Sequence, residues 1–349
     1  MAWGWLGTIR IKAAGMVVLA VAQAACLGDV QMTVDKSGGG QFTTVQAAIN
    51  AVPANSPVRY VINIAPGRYS EQIRVDKPNI TLRGTGGSAS ATVLTYHETA
   101  QPGNRLANAS AAVQARDFIA ENLTFENSAG DNRGAALAMY VDADRAVFNN
   151  VRFLSWQDTL RPEKGRHYFF NCYIEGDVDF IYGKGQAYFE NCTLYAKAGG
   201  YITAQGRESA TETNGFVFHH ATVGGSAPNG SVYLGRPWQP YARVIFLESY
   251  LGPVIHPSGW ATWSGDNHLT SYFAEYANTG PGAAGQRPAW TYRLTASEIG
   301  AFSMSSWLAG SDNWNPAALV PEPGLALPVS ALSILMFCRR SHAPWTITR

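Results

Sequence analysis

An excess of charge of either sign is missing from this chain. Lys and Arg number 26 against 25 Asp and Glu in 349 residues, a formal net charge of +1, and the cations are scattered. That leaves no basic field for nucleic acid. The two terminal apolar stretches, Ala13 to Ala22 and Leu325 to Cys338, are shorter than the roughly 20 residues a spanning helix needs. Cysteine is scarce, at four, and a chain of this length with 46% hydrophobic residues buries a core without covalent staples. Acid clusters of the kind that hold calcium are absent, and so is a helical apolar pattern between the apolar units described next. What the chain has instead is 35 Gly, 16 Tyr and 10 Trp. That suits a glycine-turned β protein with an aromatic-lined cleft, and flat rings are what sugar faces stack on.

A short unit recurs, polar-apolar-x-apolar: Asn122-Leu-Thr-Phe, Asn150-Val-Arg-Phe, Asn171-Cys-Tyr-Ile and Asn191-Cys-Thr-Leu, with looser copies at Asn79-Ile-Thr-Leu and His220-Ala-Thr-Val. The central copies are 21 and 20 residues apart. Apolar residues at the first and third places after the polar one have the period of a strand that buries one face. No copy buries a core alone. Stacked every 20 residues or so, they predict a right-handed parallel β-helix. A β-sandwich, the competing architecture, spaces its strands more closely.

Phase within the repeat carries chemistry. Asp158 follows Asn150 by eight residues and Asp179 follows Asn171 by eight, so the two carboxylates fall side by side on adjacent coils, about 4.8 Å apart at the backbone. Two carboxylates that close do not both ionise cheaply, so one serves as an acid while a cation holds the other as a nucleophile. Cys172 and Cys192 stack by the same arithmetic, and a disulfide is expected between them. His219 and His220 are read as no metal pair, because neighbours on a strand point to opposite faces.

The ends read as addresses. Arg10 and Lys12, the run from Ala13 to Ala22, and Ala22-Gln23-Ala24 form the three parts of an export signal over 1–25. Gln23 argues against a lipid anchor on Cys26. Export also favours the Cys172–Cys192 bridge. A single domain is expected over 26–316 and a tail over 317–349. Val320-Pro-Glu-Pro-Gly324, the 14-residue apolar stretch and Arg339-Arg340 resemble a PEP-CTERM sorting tail. That resemblance implies a sorting protease of exosortase type, transient membrane contact and delivery to the surface or medium.

The chemistry-bearing segments are Ser155-Trp-Gln-Asp-Thr-Leu160, Gly176-Asp-Val-Asp-Phe-Ile-Tyr-Gly183 and Tyr233-Leu-Gly-Arg-Pro-Trp238. Asp179 lies in a strongly apolar run and needs a partner, which Arg236 supplies. With Gly39-Gly-Gln-Phe-Thr-Thr-Val-Gln46, Gly67-Arg-Tyr-Ser-Glu71, Gly259-Trp-Ala-Thr-Trp263 and Tyr272-Phe-Ala-Glu-Tyr-Ala-Asn-Thr-Gly280, the chain resembles the pectin methylesterase family over roughly Val30 to Trp314. The resemblance implies hydrolysis of the C6 methyl esters of polygalacturonate, with Asp179 as nucleophile and Asp158 as acid and then base. Gln157 would be an anion-hole donor, Arg236 the cation that orients Asp179, and Trp238, Trp156 and Arg161 substrate contacts. No cofactor or metal is expected, and a monomer acting on methyl-esterified pectin is.

One position departs from the family. Its upstream anion-hole glutamine should fall at Ala135, where no amide stands; Asn132 and Arg133 are the nearest substitutes, and Ala135→Gln is expected to raise kcat. Arg161, directly after the QDTL segment, predicts a subsite that prefers a free carboxylate to a methyl ester. Alternative readings are a surface carbohydrate-binding protein of the same fold and a β-helix pectate lyase or hydrolase.

Overall fold

The computed structural model describes residues 28–100 and 103–320. The export-signal segment and the PEP-CTERM-like motif lie outside the described residues.

Asn122, Asn150, Asn171 and Asn191 all adopt left-handed backbone, with φ of 53°, 52°, 52° and 54°. Asparagine tolerates that region better than most residues. Each one turns the chain through a corner between two strands. The apolar residues after it (Leu123 and Phe125, Val151 and Phe153, Cys172 and Ile174, Cys192 and Leu194) are at most 1% exposed. Asn150 Nδ2 donates to Asn122 Oδ1 at 2.9 Å, so the corners stack as well as the strands.

Among the described residues every strand pair is parallel. An 11-stranded sheet follows chain order from Val30–Val34 to Tyr292–Arg293, and a 13-stranded sheet runs beside it. This is the right-handed parallel β-helix that the repeat predicted. Phe148, Phe169, Phe189, Phe218 and Phe246 pair in register. Their rings stack along the axis with centroids 4.7, 4.5, 4.5 and 4.4 Å apart. Helix Val45–Ala51 covers the first coil with Val45, Ala48 and Ile49 fully buried. The Glu71 carboxylate accepts from the N–H groups of Val45 and Gln46, both at 2.9 Å, so two of the early motifs serve a helix start rather than the site.

Three expectations need correction. Asn79 belongs to a different corner, because Ile80–Gly84 is a strand of the 11-stranded sheet; its alternation is right and its phase is not. The packed chain runs past 316: Pro316–Leu319 forms a 3-10 turn, and Val320 packs on an apolar cluster that contains Trp307 and Leu308.

The Cys172–Cys192 bridge is not formed. Both residues are free and buried. Cys172 Sγ donates to Phe148 O and Phe170 O, both at 3.4 Å, and Cys192 Sγ to Phe169 O at 3.4 Å and Glu190 O at 3.5 Å. In-register parallel strands, with Tyr173 opposite Thr193, carry the two Cα–Cβ bonds side by side about 4.8 Å apart. A disulfide needs the Cβ atoms to converge to about 3.8 Å.

Candidate active site

Arg152 lies opposite Tyr173, Leu154 opposite Glu175 and Leu160 opposite Ile181. The 21-residue offset therefore holds on both sides of the aspartates and brings Asp158 beside Asp179. Asp158 N donates to Val178 O at 3.1 Å. Both aspartates are left-handed, with φ of 63° and 50°, and both are buried, 4% and 7% exposed. Packed coils on either side hold them in this sparsely populated backbone, a placement found at functional sites.

Arg236 comes from strand Val232–Pro237, which pairs with Thr193–Gln205, itself paired with the Asp179 strand. Its guanidinium reaches across the intervening strand. Nε donates to Asp179 Oδ1 at 2.9 Å and Nη2 to Oδ2 at 2.7 Å, a bidentate pair of the strong kind. The Tyr201 and Trp263 rings lie 3.9 Å from the guanidinium carbon, so cation–π contacts fix its direction. Burial pushes the Asp179 carboxyl above its ordinary value, and the hydrogen bonds and charge of Arg236 oppose that push.

Asp158 has a partner that no motif indicated. Arg105, in the short helix Arg105–Asn108, donates through Nη1 to Asp158 Oδ2 and to the Tyr182 hydroxyl at 3.2 Å. Burial raises the Asp158 carboxyl to about 6; the Arg105 charge is the main opposing influence, and the neighbouring Asp179 adds to the rise. The two carboxylates thus differ in kind. One is held by two charge-assisted hydrogen bonds, and the other is tuned to a value where it exchanges a proton.

Tyr182 anchors the rest of the cleft. Arg161 Nη1 donates to its hydroxyl at 3.4 Å and Arg161 Nε to Glu163 at 2.7 Å, while the Arg161 guanidinium lies 5.0 Å from the Tyr182 ring and 5.8 Å from Trp238. Trp238 meets Tyr182 edge-on at 6.0 Å. Gly206 makes room for it, since a Cβ there would come 2.7 Å from the indole. Arg161 and Trp238 are therefore brought together beside Tyr182.

Trp156 is not brought into this cluster. Lys197 Nζ sits 3.7 Å from its ring centroid and donates to Glu175 and Ser155 O, which covers one of the two faces a sugar would use. Gln157, beside Asp158, is half-buried, and its amide makes no hydrogen bond among the described residues. Asn132 and Arg133 are exposed and substitute for nothing in the cleft. Ala135 is 8% exposed and packs with Ala100, Ala109 and Tyr182, and Ala135 O accepts from Ala100 N at 2.6 Å. Its small side chain leaves room for the segment that carries Arg105.

Both buried carboxylates are committed to guanidinium groups, a donor set suited to acid, base and nucleophile work rather than to a cation. The pectinesterase family model matches residues 31–311. The chain is 40% identical over 288 residues to pectinesterase 31 of Arabidopsis thaliana, covering 79% of this chain and 91% of the relative. Among solved structures, pectin methylesterase from carrot superposes with a TM-score of 0.76 at 33% identity, covering 83% of this chain and 96% of that one. The Erwinia chrysanthemi pectin methylesterase does so with a TM-score of 0.70 at 26% identity, covering 83% and 98%. With the matched residues spanning all the coils and the paired aspartates, this chain belongs to the pectinesterase family.

Proposed function

We propose that this protein hydrolyses the C6 methyl esters of polygalacturonate, releasing methanol and leaving pectate. The observation that carries this reading is the pair of buried aspartates on adjacent coils, one clamped by Arg236 and the other paired with Arg105. Asp179 attacks the ester carbonyl carbon, and the negative charge that develops on the carbonyl oxygen is met by the Gln157 amide. Protonated Asp158 gives its proton to the departing methoxide, so methanol leaves and an acyl-enzyme remains. Asp158, now ionised, takes a proton from water as that water attacks the acyl carbon; the bond to Asp179 breaks and the free galacturonate carboxylate departs. Trp238 supports a sugar ring, and Arg161 receives the carboxylate of a neighbouring unesterified unit.

The same reading places the enzyme at the cell surface or in the medium, exported by 1–25 and sorted through its tail by a protease of exosortase type. Asp179→Asn is the direct test, because an amide of nearly the same size cannot act as the nucleophile. Methanol release should be abolished with circular dichroism unchanged; substantial residual release places the nucleophile elsewhere. Products separate the other readings. An esterase gives methanol without chain shortening, a lyase gives unsaturated ends, and a binding protein gives neither.

A further inference from the structure

We propose that His219, His220 and Glu248 bind one zinc(II) or similar divalent transition-metal ion at an outer corner of the solenoid. His220 and Glu248 have left-handed backbone, φ 52° and 49°. They extend the column of corner asparagines: Asn191 N donates to His219 O at 3.0 Å, His220 N to Leu247 O at 3.1 Å and Glu248 N to Tyr276 O at 2.8 Å. Asparagine suits that backbone, and glutamate does so less well. On these two successive coils asparagine has given way to two metal-ligating side chains, a histidine that the left-handed region also tolerates and a glutamate that takes it at a cost in backbone energy.

The corner also overturns the argument from strand alternation. With His220 left-handed, the two imidazoles stack with centroids 3.8 Å apart. Both present Nε2 to one carboxylate oxygen, Glu248 Oε2, at 3.1 Å from His219 and 3.3 Å from His220. All three ligand atoms lie within 4.8 Å of one another. A tetrahedral ion with bonds of about 2.0–2.2 Å sets its ligand atoms roughly 3.3–3.5 Å apart, so two edges of the site already have nearly that length.

A supporting shell is present. Glu190 Oε1 lies 3.8 Å from His219 Nδ1, an atom that is buried without a hydrogen-bond partner. The other Glu190 oxygen accepts from the Tyr168 hydroxyl at 2.6 Å. A carboxylate behind the far nitrogen is what orients metal-binding imidazoles. The His220 and Glu248 side chains are 50% and 40% exposed, which leaves the fourth position to water. Two imidazoles and one carboxylate favour zinc, copper or nickel over calcium or magnesium. His219 ends one strand of the 11-stranded sheet, Gly215–His219, and His220 and Glu248 directly follow that strand and Arg243–Leu247, whereas the Asp179 strand belongs to the other sheet. The ion would tie neighbouring coils together and take no part in ester hydrolysis.

The test uses the full chain, stripped with EDTA and then titrated with zinc chloride by calorimetry. Thermal unfolding is recorded with and without zinc, and cobalt(II) serves as the spectroscopic probe. One ion per chain, a raised Tm and a four-coordinate cobalt band are expected. His220→Asn restores the corner residue of the earlier coils, so it should fold and keep its methanol release while losing the zinc-dependent Tm shift and the cobalt band. No zinc-dependent shift in the parent protein, or a shift that persists in His220→Asn, overturns the proposal.

Discussion

Removing Arg105 should move the alkaline limb of the pH profile upward. Its guanidinium, 28% exposed, is paired with the 6%-exposed Asp158 side chain and is the main influence holding that carboxyl down to about 6. An opposite charge this close lowers a carboxyl pKa by about 1–3 units. Without the cation the ionised form loses its stabilisation, the pKa rises, and the protonated acid persists to higher pH. The first step needs Asp158 protonated, so kcat/KM of the parent enzyme should fall above about pH 6, the limb that reports the free enzyme's acid. At pH 8 only about one Asp158 in a hundred carries its proton, and each unit of lift restores about tenfold of the acid form. In Arg105→Ala the ratio of kcat/KM at pH 8 to that at pH 5 should therefore rise about tenfold to a hundredfold. Arg105→Lys, which keeps the charge, should return the limb towards the parent position. Methanol release from methylated oligogalacturonide between pH 4 and 9 measures all three proteins. A limb that stays in place or moves down in Arg105→Ala refutes the electrostatic reasoning, whatever happens to the absolute rate.

Asp158→Asn should gain stability relative to the parent as pH rises. The folded carboxyl lies near 6 against an ordinary 3.8, so its favourable contribution is complete below about pH 4 and is lost as pH rises through 6; urea unfolding should show the difference growing by about 2–3 kcal/mol from pH 4 to 7, and a shrinking difference contradicts the raised value. Glu275→Gln should cost about 3–5 kcal/mol in the same assay while the folded enzyme keeps its kcat, because Glu275 is 2% exposed and binds Arg287 at 2.6 and 3.1 Å and the Trp260 indole N–H at 2.9 Å. Ala135→Gln, which the family pattern alone expects to raise kcat, should instead leave kcat unimproved and lower stability by about 1–3 kcal/mol, since Ala100 and Ala109 hold the space; a faster, equally stable variant shows that the cleft has room for the amide.

Much of this protein is legible in its sequence because a solenoid converts sequence offset directly into spatial contact. A shared phase and a 21-residue interval suffice to put Asp158 next to Asp179, and an apolar flank around Asp179 predicts that it needs a cation. Arg105 is invisible to that logic. It is 53 residues from Asp158 in a segment that belongs to no repeat, so nothing periodic carries it to the cleft. The two cysteines show the opposite failure: phase correctly stacks them, but in-register parallel strands keep their Cβ atoms from converging, so adjacency does not imply a bond. His220 was legible in a way that strand alternation concealed. It occupies the polar position of a repeat copy, and that position is a corner on the neighbouring coils, where side chains on consecutive residues need not diverge. Once a polar repeat position is read as a left-handed corner, His220 and then Glu248, the residues that put ligating side chains in place of asparagine before the column passes to Ala277, become the places where the chain departs from its own structural pattern. That is where a function separate from ester hydrolysis should be sought.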